Sequence, residues 1–355
     1  MRKIFVFLCG LSLGVSVQAQ SPVFTTLYTF QGGADGSMQG GYEGPMPTGV
    51  TLSKNGKLYG VTYAGGAGNG TVFELSPASG GIWTKTILHD FAGPDGANPD
   101  ATLVFDSSGT LYGTTQDGGT DNDGGTVFAM TPPAAAGGTW TESVVYSFDG
   151  VYNTPRTPFS GVIVAPDGAL YGTTYTNACS DCLGGADPTG GTVFQLTPPS
   201  ESGGAWAQHT ILNFLTDPVG NLPYAGVIRS GGALYGTTSL SGNCGTVYEL
   251  VPTTSSGASW SATELHAFGS TSGDGCFNVT PLTAGSGGVL YGVTAYGGSS
   301  VGNCPGVYSE ACGTVFQLTP PAAPGGTWEY SVIWNFTGAD GDGSEPSGSL
   351  VLGEG

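Results

Sequence analysis

The chain has 355 residues, with 65 glycines, 23 prolines and a formal net charge of −19, to which only seven Lys and Arg residues contribute positively. So few basic residues exclude a protein that binds nucleic acid through its phosphates, and they disfavour attraction to an anionic membrane. Hydrophobic residues make up 39% of the chain and recur at fixed spacings, so the glycines are typical of turns between many short strands.

The first 19 residues predict a signal peptide. Arg2 and Lys3 precede an apolar stretch from Ile4 to Val17, and Val17-Gln18-Ala19 supplies small residues before a cleavage site after Ala19. The mature chain then contains no predicted transmembrane segment and six cysteines. In an exported protein, which we expect to be extracellular, periplasmic or on the cell surface, an even number of cysteines favours disulfide bonds.

Five internal repeats follow, each with four landmarks in the same order. Leu-Tyr-Gly begins at Leu58, Leu111, Leu170, Leu234 and Leu290. Gly-Thr-Val begins at Gly70, Gly125, Gly191, Gly245 and Gly313. A tryptophan follows in each repeat, and a phenylalanine comes eight residues after it, giving the pairs Trp83 and Phe91, Trp140 and Phe148, Trp206 and Phe214, Trp260 and Phe268, and Trp328 and Phe336.

Each repeat predicts four strands: an apolar run before a tight turn, the Leu-Tyr-Gly strand, the Gly-Thr-Val strand and a strand from Trp to Phe. Strict alternation on the last strand would put Trp83, Lys85, Ile87, His89 and Phe91 on one face. Repeated four-stranded units of this length predict an all-β protein, a β-propeller of four-stranded blades. A parallel β-helix is the alternative, but its coils are much shorter than these repeats.

The predicted domains are the signal peptide at 1–19 and the propeller at 20–355. The five complete blades span about 44–91, 96–148, 155–214, 221–268 and 277–336. Residues 20–30 resemble a fourth strand and residues 346–352 a first strand, so the two termini predict a partial sixth blade. We therefore expect an incomplete ring, the front part of a longer protein, because the second and third strands of that blade are missing.

The pattern Leu-Tyr-Gly-Thr-Thr followed by Gly-Thr-Val-Phe-x-Leu resembles the Gloeo/Verruco (GloVer) tandem repeat of bacterial exported proteins. The resemblance covers essentially all of residues 20–355. It implies a bacterial surface or extracellular protein and no established activity, so no catalytic residue is carried over and no cofactor is predicted from it. Members often carry a variable C-terminal anchor, which the end of this sequence does not show.

Long loops rich in Gly and Asp are predicted at one end of the blades, where any binding site should lie. Their Asp-Gly pairs suit turns, and two of the loops also offer oxygen ligands at the close spacing that calcium needs. The weak calcium candidates are Asp121, Asp123, Asp340, Asp342 and Glu345.

Arg156 is the basic residue of an inter-blade loop, where it could hold an anionic ligand or pair with an aspartate. His89 and His266 occupy a position that holds Tyr or Trp in other repeats, so we interpret them as packing residues. His209 lies on the same outer strand, too far from the other two histidines for a three-histidine metal site.

The six cysteines divide into three predicted pairs. Cys304 and Cys312 share one loop, and Cys244 and Cys276 lie in loops at the same end of the blades. Cys179 and Cys182 are spaced like a redox motif but precede no helix, so a loop staple is favoured over redox chemistry.

The sequence favours an exported, non-enzymatic binding or adhesion module, whose partner is a glycan or a protein at the cell surface. The alternative is a secreted propeller enzyme acting on a glycan or similar polymer, which would need two carboxyl groups some 5–10 Å apart. No acidic pair stands out from the repeat pattern to supply them. A structural spacer is the third possibility.

Overall fold

The computed structural model describes most of the chain from residue 25 onward. The described residues are 25–36 and 49–353, except 121–122, 136, 151–153, 177–189, 202, 218, 240–243, 255–256, 258, 272, 279, 300–311, 324 and 340–341.

Five antiparallel sheets of four strands follow one another along the chain, and we call them units 1 to 5. Unit 1 contains strands Thr51–Leu52, Leu58–Thr62, Thr71–Pro77 and Trp83–Asp90. Unit 2 contains Val104–Phe105, Leu111–Thr115, Thr126–Thr131 and Thr141–Ser147. Unit 3 contains Ile163–Val164, Leu170–Thr174, Thr192–Thr197 and Ala207–Asn213. Unit 4 contains Ile228–Ser230, Ala233–Thr238, Thr246–Pro252 and Trp260–Ala267. Unit 5 contains Thr283–Ala284, Leu290–Thr294, Thr314–Thr319 and Glu329–Asn335.

Few other elements occur in the described part. Strands Gly275–Cys276 and Tyr296–Gly297 form a two-stranded sheet between units 4 and 5. The helical segments are the single 3-10 turns Gly33–Asp35, Ser79–Gly81 and Ser286–Gly288. No helix in the described ranges is long and apolar enough to cross a membrane. The protein is therefore all-β, as the repeats predict.

A bulge interrupts the pairing of the third and fourth strands in every unit. In unit 1 Val72 pairs with His89, but Phe73 pairs with Ile87, so Leu88 is the extra residue. The bulge breaks the alternation of side chains, and as a result Ile87 is 41% exposed while Leu88 packs against the core. The prediction that Ile87 shares one face of the strand with His89 and Phe91 is therefore wrong.

The repeated aromatic residues join one unit to the next. The phenylalanine that ends each fourth strand packs edge-on against the ring on the third strand of the following unit. The ring centroids of Phe91 and Phe128 are 5.1 Å apart, and those of Phe148 and Phe194 are 5.2 Å apart. The tyrosine of Leu-Tyr-Gly likewise meets the next tryptophan, with Tyr59 5.6 Å from Trp140. Much of the hydrophobic core thus lies between units.

The described terminal residues lie where neighbouring units would continue. Phe30 packs against Phe73 at 5.3 Å, as the last phenylalanine of a preceding unit would. Thr283 Oγ1 donates to the carbonyl of Leu350 at 2.7 Å, from a first strand to the segment after unit 5. Neither 25–30 nor 346–352 is assigned to a strand. The partial sixth blade, the incomplete ring and the domain limits stay predictions.

Candidate active site

The connectors between units share one unusual backbone conformation. One residue in each of the four connectors has φ between 55° and 60°, the left-handed region that side chains disfavour; these residues are Asn98, Thr157, Leu222 and Phe277, and Glu345 after unit 5 has φ of 52°. The Asn98 amide donates to the Asn69 carbonyl of unit 1 at 2.8 Å, and its carbonyl accepts from the Gln116 amide of unit 2 at 3.1 Å. Gln116 directly follows the second strand of unit 2. The end of that strand therefore lies beside the connector that leads into unit 2.

Unit 2 has a carboxyl group at this junction, at the position where units 3 and 4 have aromatic rings. Asp100 is 5% exposed, and its Oδ2 accepts a hydrogen bond from Gln116 Nε2 at 2.7 Å. The corresponding pair in unit 3 is Phe159 and Tyr175, whose ring centroids are 4.7 Å apart. Tyr224 follows the connector proline of unit 4 in the same way. Asp100 therefore breaks the repeat at a buried position.

The Asp100 carboxyl group is not fully satisfied. Its Oδ1 atom is buried and has no hydrogen-bond partner among the described residues. Burial raises the pKa of Asp100 to about 7, although the bond from Gln116 acts in the opposite direction. A carboxyl group with such a pKa holds its proton near neutral pH, as a general acid must.

A second carboxyl group with a raised pKa comes from the adjacent loop. Asp117 pairs through its backbone with Ala97, by hydrogen bonds of 2.8 and 3.1 Å. Burial, and then the nearby Asp123, raise the pKa of Asp117 to about 6. Burial, then Asp117 and then Asp100 raise the pKa of the Tyr63 hydroxyl, which places all three groups in one electrostatic environment.

Half-buried aromatic side chains continue from unit 3 to unit 5 at the same end of the repeats. The ring centroids of Tyr175 and Tyr224 are 4.7 Å apart, and the Tyr224 hydroxyl donates to that of Tyr175 at 3.0 Å. Phe277 lies 5.8 Å from Tyr224 and 5.8 Å from Tyr296. We call Phe159, Tyr175, Tyr224, Phe277 and Tyr296 the aromatic row.

Three of the five calcium candidates lie in the described part. Asp123 accepts a bond from the Gly118 amide. Asp342 accepts bonds from the Thr337 amide and hydroxyl at 2.8 and 2.7 Å, which lower its pKa. Glu345 has the left-handed backbone conformation after unit 5, and its backbone amide donates to the carbonyl of Cys312. These are turn interactions, and calcium binding stays a prediction; Asp121 and Asp340 lie outside the described residues.

Arg156 occupies the connector into unit 3. Its Nη1 donates to the Gly150 carbonyl at 3.2 Å, and its backbone pairs with Thr176. This bond restrains the connector, and a role for Arg156 in ligand binding stays a prediction.

The cysteine predictions are confirmed for one pair. Cys244 and Cys276 form a disulfide with a Cα–Cα distance of 4.5 Å. Cys312 is buried and disulfide-bonded, while its predicted partner Cys304 and the pair Cys179 and Cys182 lie outside the described residues.

Residues 14–184 match the family model of the Gloeobacter/Verrucomicrobia repeat. The matched region covers just under half of the chain. The match confirms the resemblance seen in the sequence, and the Leu-Tyr-Gly and Gly-Thr-Val landmarks continue in register beyond residue 184. No curated protein matches the chain significantly.

Several solved structures resemble this chain at low identity. They include the Trypanosoma rangeli sialidase, at 14% identity and a TM-score of 0.42 over 77% of this chain and 46% of that one. They also include the inulosucrase from Halalkalicoccus jeotgali, at 12% identity and a TM-score of 0.44 over 81% and 84%, and a putative 6-phosphogluconolactonase from Bacteroides uniformis, at 13% identity and a TM-score of 0.48 over 82% and 72%. The chain thus spans about half the length of the sialidase.

The similar structures correct one functional expectation. Sialidases, the inulosucrase, an arabinofuranosidase and a polysaccharide lyase predominate among them. The expectation of a non-enzymatic binding or adhesion module is contradicted by these similarities. Because the TM-scores lie below 0.5, no residue role is transferred from these proteins.

The residue pattern of the sequence does not single out the carboxyl pair, for a specific reason. Asp100 lies in a connector, and every connector contains an aspartate, while Asp117 shares its loop with Asp121 and Asp123, so neither stands out by residue type. The available signal was positional, because aligning the prolines of the connectors places Asp100 opposite Phe159 and Tyr224.

Proposed function

We propose that this protein is an exported β-propeller enzyme that acts on a glycan or similar polymer, with Asp100 and Asp117 as its acid–base pair. The observation that carries the proposal is the presence of two carboxyl groups with raised pKa values beside Tyr63. They lie at the end of the repeats that also carries the aromatic row.

The propeller architecture is supported by repeated contacts between neighbouring units. Thr51 Oγ1 on the first strand of unit 1 bonds the Leu103 carbonyl before the first strand of unit 2. Thr114 and Thr173 bond the carbonyls of Ser160 and Ala225 in the following units, both at 3.1 Å. A four-stranded unit that meets each neighbour in the same way suits radial packing around a common axis.

The two carboxyl groups differ in the way that acid–base chemistry requires. With a pKa of about 7, Asp100 keeps a proton over more of the neutral range than Asp117, whose pKa is about 6. Asp100 would then protonate a leaving oxygen, and Asp117 would act as the base that activates water or removes a proton from the substrate. Gln116 would hold Asp100 in place through its bond to Oδ2.

The aromatic row suits the binding of a carbohydrate chain. Aromatic rings offer large apolar faces at low conformational cost, and the apolar faces of sugar rings stack on such surfaces. The row spans three units, so it could bind several sugar rings of a polymer in series.

Turnover of a panel of polysaccharides, followed by the release of reducing ends and of unsaturated products, tests the proposal. We expect D100N and D117N each to lower the rate by about 100-fold or more, as loss of an acid or base usually does. D167N is the matched control, because the Asp167 carboxylate bonds the Ala169 amide in a tight turn of unit 3.

Two results would overturn the assignment. Wild-type rates in both D100N and D117N would show that this pair is not catalytic. Tight binding of a polysaccharide without turnover would show that the aromatic row serves recognition alone.

Export is part of the proposal and has its own test. It is supported by the signal-peptide pattern at 1–19 and by the Cys244–Cys276 disulfide, a bond typical of oxidising compartments. We expect the protein collected outside the cytoplasm to begin at Gln20, as N-terminal sequencing would determine. Recovery of the uncleaved chain in the cytoplasm alone would contradict export.

A further inference from the structure

Where one unit leads into the next, a hydrogen-bonded pair of side chains recurs, and it does not include Asp100. We call each of these places a corner. The residue two positions before the last phenylalanine of a fourth strand bonds an aspartate in the following connector. Tyr28 bonds Asp35 at 2.8 Å, and Trp334 bonds Asp342 at 3.1 Å. The histidines at this position do the same: His89 Nε2 is 2.9 Å from Asp95 and His266 Nε2 is 3.1 Å from Asp274.

A third side chain lies beside this pair. It belongs to the fourth strand of the next unit and comes two positions after the tryptophan of that unit. At the first corner this is Lys85, whose ammonium group lies 3.1 Å from Asp35 and neutralises it. Between units 4 and 5 it is Tyr330, whose ring stacks on His266 with the centroids 3.8 Å apart. Both corners are thereby closed by the protein itself.

The corner between units 1 and 2 has no such closure. Its third residue is Glu142, which brings a second carboxyl group to Asp95. The Glu142 Oε1 atom is buried and has no hydrogen-bond partner in the described part of the chain.

The three side chains converge at a distance that suits a metal ion. One ligand atom from each of His89, Asp95 and Glu142 lies within 4.8 Å of the others. The side chains of His89 and Asp95 are 21% and 23% exposed, so an ion could enter from solvent. Among the described residues, this is the group of His, Cys, Asp and Glu side chains close enough to hold a metal.

We propose that His89, Asp95 and Glu142 bind a divalent transition-metal ion, with Zn²⁺ as the first candidate. One imidazole and two carboxylates are typical zinc ligands, and three protein ligands leave a fourth position for water. Calcium is disfavoured, because it prefers six to eight oxygen ligands. The ion would supply the positive charge that Lys85 provides at the first corner, and it would link unit 1 to unit 2.

Zinc binding by the purified, untagged full chain tests the proposal, by equilibrium dialysis against Zn²⁺ alone. We expect the wild type to hold one equivalent, and H89Y and E142Q to bind at least ten times more weakly. H266Y is the matched control, because it makes the same change at the corner closed by Tyr330, and it should bind as the wild type does. Co²⁺ substitution should give visible absorption bands in the wild type that H89Y lacks.

Zinc affinity that is unchanged in both H89Y and E142Q overturns the site, as does a wild type that binds no zinc. A loss in H266Y as large as that in H89Y also overturns it, because the effect would then be general. E142Q is nearly isosteric with the wild type, so it keeps the test valid if H89Y folds poorly. The carboxyl groups of this site are not those of the proposed acid–base pair, so polysaccharide turnover by H89Y separates failure of one proposal from failure of the other.

Discussion

At the scale of single residues, Tyr248 differs from its counterparts in the other units by one hydroxyl group. It is fully buried at a position that holds phenylalanine in the other four units, as at Phe128 and Phe316. Its hydroxyl has no hydrogen-bond partner among the described residues, and burial strongly raises its pKa. A buried polar group without a partner lowers the stability of the fold.

Replacing this hydroxyl should stabilise the protein. We expect Y248F to raise the free energy of unfolding by about 1 kcal/mol, because it removes an unsatisfied buried group. The control is Y235F, which should lower the free energy of unfolding by a similar amount, since the Tyr235 hydroxyl donates to Glu249 at 2.7 Å. Urea denaturation measures both, and a loss of stability in Y248F would show that its hydroxyl is satisfied.

Asp100 should make stability depend on pH in a defined direction. Its pKa rises from 3.8 to about 7 on folding, so between these values the folded chain keeps a proton that the unfolded chain releases. Stability therefore falls as pH rises through this window, by on the order of 4 kcal/mol for this group, and is constant above it.

The substitution D100N should remove this contribution. We expect D100N to unfold at higher urea concentration than the wild type at about pH 8, and at nearly the same concentration at about pH 4. Asp117 and Glu142 shift in the same direction, so some pH dependence should remain. A difference between D100N and wild type that does not change with pH would contradict the raised pKa.

At the scale of the strand, the glycine of Leu-Tyr-Gly is explained by a close approach. A Cβ atom at Gly113 would lie 2.5 Å from Cζ of Phe128 on the neighbouring strand and 2.6 Å from Leu103. In units 1, 3 and 5 the corresponding phenylalanine ring faces the corresponding glycine. A side chain at this glycine would overlap the third-strand ring, against which the phenylalanine of the preceding unit packs.

An alanine at this position should therefore destabilise the unit. We expect G113A to lower the free energy of unfolding by about 1–3 kcal/mol through overpacking. The double variant G113A/F128L should lose less than the sum of the two single changes, because the clash is relieved. G348A is the control, since no atom lies within 4 Å of a Cβ at Gly348. Additive losses, measured by chemical denaturation, would argue against the clash.

At the scale of the whole molecule, stability depends on contacts between consecutive units. Rings from adjacent units pack against each other, and the connectors bond both neighbours. The Cys244–Cys276 disulfide adds a covalent link across the connector between units 4 and 5.

Loss of this disulfide should destabilise the molecule. The bond closes a loop with a sequence separation of 32 residues, and constraining such a loop in the unfolded chain is worth about 3–4 kcal/mol. We expect the variant C244A/C276A to unfold at clearly lower temperature in calorimetry. Substitution is preferred to reduction, because Cys312 is also disulfide-bonded. Equal unfolding temperatures would show that the connector is held by its other contacts.

The repeat, the four strands of each unit and the Cys244–Cys276 pair could be predicted from the sequence alone. Landmarks such as Leu-Tyr-Gly and the paired Trp and Phe recur because every unit must present the same surface to its neighbours. Strand alternation is a local property, so it could be predicted residue by residue, except where the bulge displaces Ile87.

The contacts between side chains of different units follow from the tertiary structure and could not be predicted from the repeat pattern. Asp100, Asp117 and Tyr63 come from two units, as do His89 and Glu142. Local periodicity does not specify how one unit is turned against the next. The buried environment that raises the pKa of Asp100, and the lack of a hydrogen-bond partner for Glu142 Oε1 among the described residues, arise from that packing.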